Sequence, residues 1–261
     1  MKIVLKIAQR VYWLYAAILF VITMFLAFPF VVAASLFGKI RGGNMIYRIC
    51  GIWDDVWSFL IGIHHENIYE SPVDRDRPYI FVANHNSYVD IPVIIKAIRN
   101  KPFRVLGKSE TKKIPIFGFI YSSAVVMVDR SSAVDRSRSV RVTKSVLRKN
   151  ISIVIFPEGT FNETGKPLKH FYDGAFRIAI EMQTPIKPML FLDAYARMPY
   201  ESFFSLNPGL SRVVFLKEFP VEGLTMKDLP ALKKRVFNYM EEKLLTYKAS
   251  WIKSGMERSS K

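Results

Sequence analysis

The feature that most constrains this chain is an apolar run without any charged residue, from Val11 to Phe37. At 1.5 Å per residue, a helix of this length can span a hydrocarbon core of about 30 Å. The run is too long for the apolar part of a signal peptide, and no small-residue cleavage site follows it. A charge-free run this long is also uncommon in a buried core helix. The run therefore predicts a membrane-embedded helical segment within residues 1–45.

The path of this segment through the membrane stays open at this stage. Pro29 can break the run into two shorter helices that enter one leaflet and return, or the run can cross once. Three aromatic residues near its start resemble an interfacial belt, namely Tyr12, Trp13 and Tyr15. Basic residues flank both ends: Lys2, Lys6 and Arg10 before the run, and Lys39, Arg41 and Arg48 after it. This symmetry gives no clear orientation by the positive-inside rule and favours a re-entrant hairpin slightly.

The formal net charge of +16 requires an anionic partner. Beside a membrane, each Lys or Arg contributes about 1 kcal/mol of attraction to anionic lipid. No aromatic-basic motif or reading helix of a nucleic-acid-binding protein is found. The expected partners are therefore the lipid bilayer and its anionic lipids, and no nucleic acid. A single cysteine, Cys50, excludes an internal disulfide and a multi-cysteine metal site, so no metal is predicted.

From about residue 76, short apolar runs alternate with helical patterns, which predicts an α/β fold with a largely parallel central sheet covered by helices. The expected strands lie at 79–83, 103–106, 123–128, 151–156, 186–192 and 212–216. The expected helices lie at 131–150, 174–182 and 229 to about 252, and 52–63 reads as an amphipathic helix near the interface. We expect one catalytic domain over residues 46–253 and a frayed tail over 254–261.

The seven residues from Asn84 to Asp90 carry the strongest chemical signal. They follow the apolar run 79–83, so His85 stands at the end of a strand with Asp90 about one helical turn away. Such a carboxylate can fix the tautomer of the imidazole and leave its other nitrogen free to take a proton. The alternative is a capped helix start in which His85 is merely satisfied in a turn.

Three later clusters are ordinary when each is taken alone. Phe156-Pro157-Glu158-Gly159-Thr160 forms a sharp turn after an apolar run. The second cluster begins with Lys108, Lys112 and Lys113, which taken alone are typical of a solvated loop. Gly118 and the pair Asp129-Arg130 follow, and such a pair is usually a structural ion pair. The third cluster is a Pro-rich strand start, Thr184-Pro185-Ile186-Lys187-Pro188.

In this order the four blocks resemble the lysophosphatidic acid acyltransferase family of glycerolipid acyltransferases. The matching blocks are Asn84/His85/Asp90, Gly118 with Asp129-Arg130, 156–160 and 185–188. The resemblance covers about residues 76–195 and implies the glycerolipid acyltransferase fold. It also implies transfer of a fatty acyl chain from acyl-CoA or an acyl carrier protein to the sn-2 hydroxyl of 1-acyl-glycerol-3-phosphate. The product is phosphatidic acid for phospholipid synthesis.

The resemblance implies that His85 and Asp90 are catalytic and that no cofactor is needed beyond the thioester co-substrate. It implies further residues that bind substrate: Asn84, Ser87, Lys108, Gly118, Arg130, Glu158, Gly159, Thr160 and Pro185. The expected partners are the lyso-lipid acceptor, the bilayer and an acyl carrier protein. Because such thioesters are made in the cytoplasm, we expect the protein at the cytoplasmic face of the inner membrane.

Two departures from the family pattern concern the acceptor. The family Arg after Glu-Gly-Thr is Phe161 here, and Tyr172-Asp173 stand where a basic residue is common. A phosphate needs charge-assisted donors, so Lys108, Lys112, Arg130 or Lys166 must compensate, or the acceptor differs. The alternatives are another lysophospholipid, a lyso-aminolipid such as a lyso-ornithine or lyso-glycine lipid, or a catalytically silent membrane-binding protein.

Other enzyme classes are disfavoured because the chain lacks their motifs. The chain has no Gly-x-Ser-x-Gly of a serine hydrolase and no P-loop. His65-Glu66 is not followed by a second His at the zinc-protease spacing, since Tyr69 stands there.

Overall fold

The computed structural model describes residues 2–99, 101–128 and 133–252, and it begins with a helical hairpin. Helix α1 (Lys2–Ser35) leads through a π-helical turn (Gly38–Gly42) into α2 (Gly43–Leu60). The two helices are antiparallel, since Trp57 Nε1 donates to the Ala16 carbonyl at 2.9 Å and Trp53 Nε1 donates to Thr23 Oγ1 at 2.8 Å. The aromatic residues near the start of α1 serve this packing, because the hydroxyls of Tyr12 and Tyr15 donate to carbonyls at the end of α2.

Of the two alternatives left open for the apolar run, the break at Pro29 is not found, because α1 runs through this proline without interruption. A proline removes one helical hydrogen bond, and α1 is supported on either side of it by buried contacts of Met24, Val31 and Ala34 with α2 and α4. The chain reverses instead at Gly38–Gly42. A side chain at Gly42 would lie 2.3 Å from the Ala34 carbonyl oxygen, so glycine permits this close approach.

Helix α1 has one packed face and one exposed apolar face. It is long and apolar enough to cross a membrane, and only 22% of its most apolar 18-residue stretch is buried within the protein. The exposed face includes Val4, Ile7, Val11, Leu14, Ile18, Ile22, Phe25 and Leu26. A core helix of a soluble domain would bury this face, whereas a membrane-associated helix leaves it to lipid.

The remaining chain forms a seven-stranded sheet with helices on both faces. The strands are β1 (Ile63–Tyr69), β2 (Ile80–Ala83), β3 (Phe103–Lys108), β4 (Val126–Val128), β5 (Ser152–Ile155), β6 (Ile186–Phe191) and β7 (Gly209–Phe215). The helices are α3 (Asp90–Ala97), α4 (Phe117–Ala124), α5 (Ala133–Leu147), α6 (Gly174–Met182), α7 (Ala194–Arg197) and α8 (Leu229–Thr246), with short 3₁₀ turns at Ser109–Lys113 and Met226–Asp228. The predicted α/β fold is confirmed.

The strand order is β1-β7-β6-β2-β5-β3-β4, and only the β6–β7 pairing is antiparallel. The five strands from β6 to β4 are therefore parallel, and their carboxyl ends meet at one edge of the sheet. In open α/β sheets this edge is where ligands bind. The six strands expected from apolar runs correspond to β2–β7. Strand β1 was not expected, because its sequence Ile-His-His-Glu-Asn-Ile-Tyr is largely polar.

Apolar clusters cover both faces of the sheet. One cluster packs α5, α6 and α8 against it, and the other packs α1, α2 and α3. Strands β2 and β5 are buried at every position, as continuous apolar runs in a covered parallel sheet should be. The boundary expected at residue 45 falls within α2, and the division into two domains stays a prediction. The expected frayed tail, 254–261, lies outside the described residues.

Candidate active site

The imidazole of His85 and the carboxylate of Asp90 are in direct contact. His85 Nδ1 lies 2.7 Å from Asp90 Oδ2. His85 follows the carboxyl end of β2, while Asp90 is the first residue of α3, so the short loop between these elements sets their separation. Because Nδ1 faces the carboxylate, Nε2 is the ring nitrogen available to a substrate. About a fifth of the His85 side chain is exposed, at 22%, while that of Asp90 is fully buried.

The Asp90 carboxylate is held by the backbone of its own loop. Oδ2 accepts hydrogen bonds from the backbone N–H groups of Asn86 at 3.1 Å and Ser87 at 3.0 Å. Complete burial raises the pKa of Asp90, and the donors from the His85 ring and the two amides oppose this rise by stabilising the carboxylate. These donors fix the carboxylate in position before a proton reaches the imidazole.

A second buried carboxylate, Glu158, holds the backbone of His85. Its Oε1 accepts from the His85 N–H at 3.0 Å, and its Oε2 accepts from the Lys169 N–H at 2.9 Å. Burial raises the pKa of Glu158 to about 8, with the charge of Asp90 adding to the rise. The Glu158 side chain is fully buried and both of its oxygens bind backbone amides, which indicates a positioning role. The expectation that it binds substrate stays a prediction.

The turn after β5 closes over the other side of the His85 backbone. The Asn162 N–H donates to the His85 carbonyl at 2.7 Å. Together with Glu158, residues 158–162 therefore bind both the backbone N–H and the backbone carbonyl of His85. Gly159 has φ +75°, a conformation that L side chains rarely adopt. The predicted sharp turn is thus present, and its role is to clamp the histidine.

Aromatic rings flank the imidazole. Phe156 stacks on it with ring centroids 4.0 Å apart and an interplanar angle of 15°. Phe161 contacts it at 4.5 Å in a tilted arrangement, and Tyr88 meets Phe161 edge-on at 5.1 Å. These rings restrict rotation of the imidazole and exclude water from one side of it.

Two further expected substrate-binding residues have side chains that bind backbone groups of the protein. The Asn84 amide donates to the Phe191 carbonyl at 3.1 Å and accepts from the Phe191 N–H at 2.9 Å, which joins the ends of β2 and β6. Ser87 Oγ donates to the Met198 carbonyl at 2.6 Å. Both side chains are buried and position the His85 loop, and their roles in substrate binding stay predictions.

Thr160 is the expected binding residue whose side chain is exposed beside the histidine clamp. Its Oγ1 accepts from Lys169 Nζ at 2.7 Å, which places a cation at this turn. Strand β3 brings Lys108 to the same sheet edge as His85, and its side chain lies outside what the structure describes. Arg130 also lies outside the described residues. The binding roles of Thr160, Lys108 and Arg130 stay predictions.

Gly118 and Pro185 have structural explanations. A side chain at Gly118 would lie 2.1 Å from the Lys112 carbonyl oxygen, so glycine lets the 3₁₀ turn pack on α4. The Pro185 carbonyl accepts from the Ile80 N–H at 3.0 Å, at the amino end of β2. His85 lies beyond the carboxyl end of the same strand, so Pro185 lies at the opposite end of β2 from the histidine. The expectation that Pro185 binds substrate stays a prediction.

Sequence reasoning missed two contributors to the site. Lys169 was not singled out because it lies eleven residues beyond Glu158, in a loop without a motif of its own. The ring contacts of Phe156 and Phe161 depend on how two loops fold together, which spacing does not reveal. The aromatic content of both loops is the signal that was available.

Comparisons with known proteins agree with this geometry. A family model described as acyltransferase matches residues 61–192, half of the chain. The 1-acyl-sn-glycerol-3-phosphate acyltransferase beta of Homo sapiens is 26% identical over 216 residues, which cover 79% of this chain and 75% of the relative. The human alpha protein of that name is 29% identical over 184 residues, 70% of this chain and 64% of the relative.

A likeness in structure supports the fold independently. The crystal structure of the 1-acyl-sn-glycerophosphate acyltransferase PlsC from Thermotoga maritima matches with a TM-score of 0.72. The match covers 96% of this chain and 99% of that protein at 22% sequence identity. At this identity the likeness shows a shared fold.

Proposed function

This chain belongs to the acyltransferase family, and we propose that it transfers a fatty acyl chain from a thioester to the sn-2 hydroxyl of 1-acyl-glycerol-3-phosphate, giving phosphatidic acid. The observation that carries the proposal is the 2.7 Å contact between His85 and Asp90 at the carboxyl edge of the sheet. The similar human proteins bear the name of this activity. The enzyme class follows from the family, and the acceptor and donor are the proposed parts.

In the proposed mechanism, His85 Nε2 removes the proton from the acceptor hydroxyl as its oxygen attacks the thioester carbonyl. A new C–O bond forms, the C–S bond breaks, and the imidazolium returns its proton to the departing thiolate. Asp90 stabilises the imidazolium through Nδ1. The acceptor oxygen is itself the nucleophile, so no covalent acyl-enzyme is required. General base catalysis of this kind contributes about 10²–10⁴-fold.

We propose acyl-CoA or an acyl carrier protein as the donor, with no further cofactor. Both are anionic, and the net charge of +16 favours their approach as well as contact with anionic lipid. The exposed apolar face of α1 supports association with the bilayer. Since these donors are cytoplasmic, we place the site at the cytoplasmic face of the inner membrane.

One observation favours a second acceptor. Phe161 contacts the His85 ring at 4.5 Å, so an apolar side chain stands beside the reacting nitrogen. This environment suits a lyso-lipid without phosphate, such as a lyso-ornithine or lyso-glycine lipid, or a lysophospholipid whose phosphate lies further from the hydroxyl. Lys169, tied to Thr160, is a described cation that can meet a phosphate from the turn.

The test is to assay purified protein with acyl-CoA or acyl carrier protein against a panel of lyso-lipids, beside His85→Ala and Phe161→Arg. We expect the highest kcat/KM with lysophosphatidic acid and none above background with His85→Ala. Phe161→Arg should increase the preference for phosphate-bearing acceptors. If the wild type preferred a phosphate-free acceptor, that lipid would take the place of lysophosphatidic acid in the proposed reaction, and the mechanism would stay the same. Absence of acyl transfer to every lyso-lipid would refute the proposed function.

A further inference from the structure

A path of aromatic rings connects His85 with the membrane-associated helix α1. Each ring contacts the next at a centroid distance of 4.5 to 5.8 Å, in the order His85, Phe161, Tyr88, Phe203 and Trp13. Phe204 then packs edge-on against Trp13 at 4.7 Å. The path therefore runs from the base to the start of the apolar segment.

The far end of this path is unusually exposed for apolar side chains. Phe203 is 51% exposed and Phe204 is 57% exposed. Both belong to residues 198–208, here called the aromatic loop, which joins α7 to β7. On the same helix as Trp13, Val11 and Leu14 are 62% and 54% exposed. Exposed apolar surface of this kind marks a contact with a membrane or another protein.

The aromatic loop is anchored at both ends, so its exposed rings are held in place. At its start, it contacts residues 84–90, here called the catalytic loop, because Ser87 Oγ donates to the Met198 carbonyl at 2.6 Å. At its end, Gln9 of α1 donates to Asn207 Oδ1 at 3.1 Å, and the Asn207 N–H donates to the Arg197 carbonyl at 2.7 Å. One end is thus attached to the catalytic loop and the other to the membrane-associated helix.

We propose that the aromatic loop inserts Phe203 and Phe204 into the same lipid interface as α1, and that lipid substrates reach His85 from the bilayer along the path of rings. The inference rests on the proposed function, since it names the route by which a lyso-lipid enters that site. The occupant is a lipid bilayer because both exposed rings pack on Trp13 of α1, a helix that is apolar enough to cross a membrane and leaves an apolar face exposed. Rigid aromatic side chains prefer this depth of a membrane.

The first experiment measures insertion of the loop. The chain has one cysteine, Cys50, and it is buried, so Phe204→Cys can be labelled with an environment-sensitive fluorophore in the full-length protein. The matched control is Leu245→Cys on α8, a 46% exposed apolar position. On vesicles of phosphatidylcholine with about one fifth phosphatidylglycerol, the probe at 204 should shift to shorter wavelength and be quenched by brominated lipid. The probe at 245 should not. Equal behaviour of the two probes refutes insertion.

The second experiment tests the route. Phe204→Ser is compared with the control Leu245→Ser, using a long-chain acceptor in vesicles and a short-chain acceptor that is monomeric in water. We expect the ratio of the two turnover rates to fall about tenfold in Phe204→Ser, equal to about 1.4 kcal/mol, and to stay constant in the control. An unchanged ratio contradicts the route. Failure of the proposed function gives a different result, because the wild type would then acylate neither acceptor. The fluorescence of the probe at position 204 on vesicles would be unaffected.

Discussion

Two buried carboxyl groups contact different parts of His85, and they have different roles. Asp90, at the start of α3, contacts the ring through Nδ1 and takes two amide donors from its own loop. Glu158, in the turn after β5, contacts only backbone, with one donor from His85 and one from Lys169. The comparison shows that the proton chemistry and the placement of the histidine rest on separate side chains. Substitutions should therefore separate the two.

The largest effect is expected at the residue that both carboxylates serve. His85→Ala should lower kcat by about 10²–10⁴-fold, because it removes the general base. The thermal denaturation midpoint in detergent should also fall, since the buried Asp90 carboxylate loses its ring donor at a cost of about 1–3 kcal/mol, and this loss is too small to unfold the protein. Single-turnover acyl transfer measures the loss, and membrane sedimentation checks that the variant stays associated. Turnover near the wild-type level would remove His85 from the mechanism.

Asp90→Asn should have the next largest effect on turnover. An amide oxygen can still accept from the loop amides, but the negative charge that stabilises the imidazolium is lost. A hydrogen bond to a charged group is worth about 1.5–3 kcal/mol, which corresponds to about a tenfold to 150-fold decrease in kcat. KM for the acceptor should stay within about twofold. A variant as active as wild type would reduce the dyad to His85 alone.

Glu158→Gln should lower stability and turnover together, in contrast to Asp90→Asn. The new NH₂ group faces either the His85 or the Lys169 amide, and one buried donor then loses its acceptor at a cost of about 1–3 kcal/mol. The His85 backbone is released on one side, so we expect kcat to fall about tenfold or less. Thermal denaturation and kcat measured on one preparation test this. A loss of turnover without any loss of stability would assign Glu158 a direct chemical role.

The pH dependence of stability gives a finer test of Glu158. Its folded-state pKa of about 8 lies above the ordinary value of 4.5. The folded state therefore keeps a proton that the unfolded state releases. This stabilisation is fully present below about pH 4.5 and is lost as the pH rises toward 8, with a slope of at most about 1.4 kcal/mol per pH unit. The advantage of wild type over Glu158→Gln should shrink between about pH 5.5 and 8. A constant difference in the denaturation midpoint over this range would show that Glu158 does not titrate there.

The same two carboxylates show how far sequence reasoning reaches. The His85–Asp90 contact was predictable because five residues of one loop, following a strand and starting a helix, fix the separation of the two side chains. The motif predicts that Glu158 belongs to the site, but it does not predict that both of its oxygens bind backbone amides. Its partners, the amides of His85 and Lys169, lie 73 and 11 residues away, and only the folded sheet brings them together.

The N-terminal segment follows the same rule. Its apolar composition is a local property, and it predicted a long helix correctly. The reversal at Gly38–Gly42 was missed because it depends on packing between α1 and α2, where a side chain at Gly42 would collide with Ala34. Local patterns thus identified elements and the dyad, while contacts between distant segments decided which polar residues face substrate and which face the interior.

The smallest expected effect tests this last distinction at Ser87, a residue that the family resemblance assigns to substrate binding. The structure buries its hydroxyl against the Met198 carbonyl, at the start of the aromatic loop. Ser87→Ala removes two neutral hydrogen bonds, one donated to the Met198 carbonyl and one accepted from the Val89 N–H. It should cost about 1–2 kcal/mol of stability, while KM for a monomeric short-chain acceptor stays within about threefold. Ser87→Thr, which keeps the hydroxyl and adds a methyl group in a buried site, is the matched variant for packing.

A large rise in KM for both donor and acceptor in Ser87→Ala, at unchanged stability, would show that Ser87 binds substrate. Because Ser87 lies between the catalytic loop and the aromatic loop, a modest loss confined to vesicle-borne acceptors is the result that its position favours.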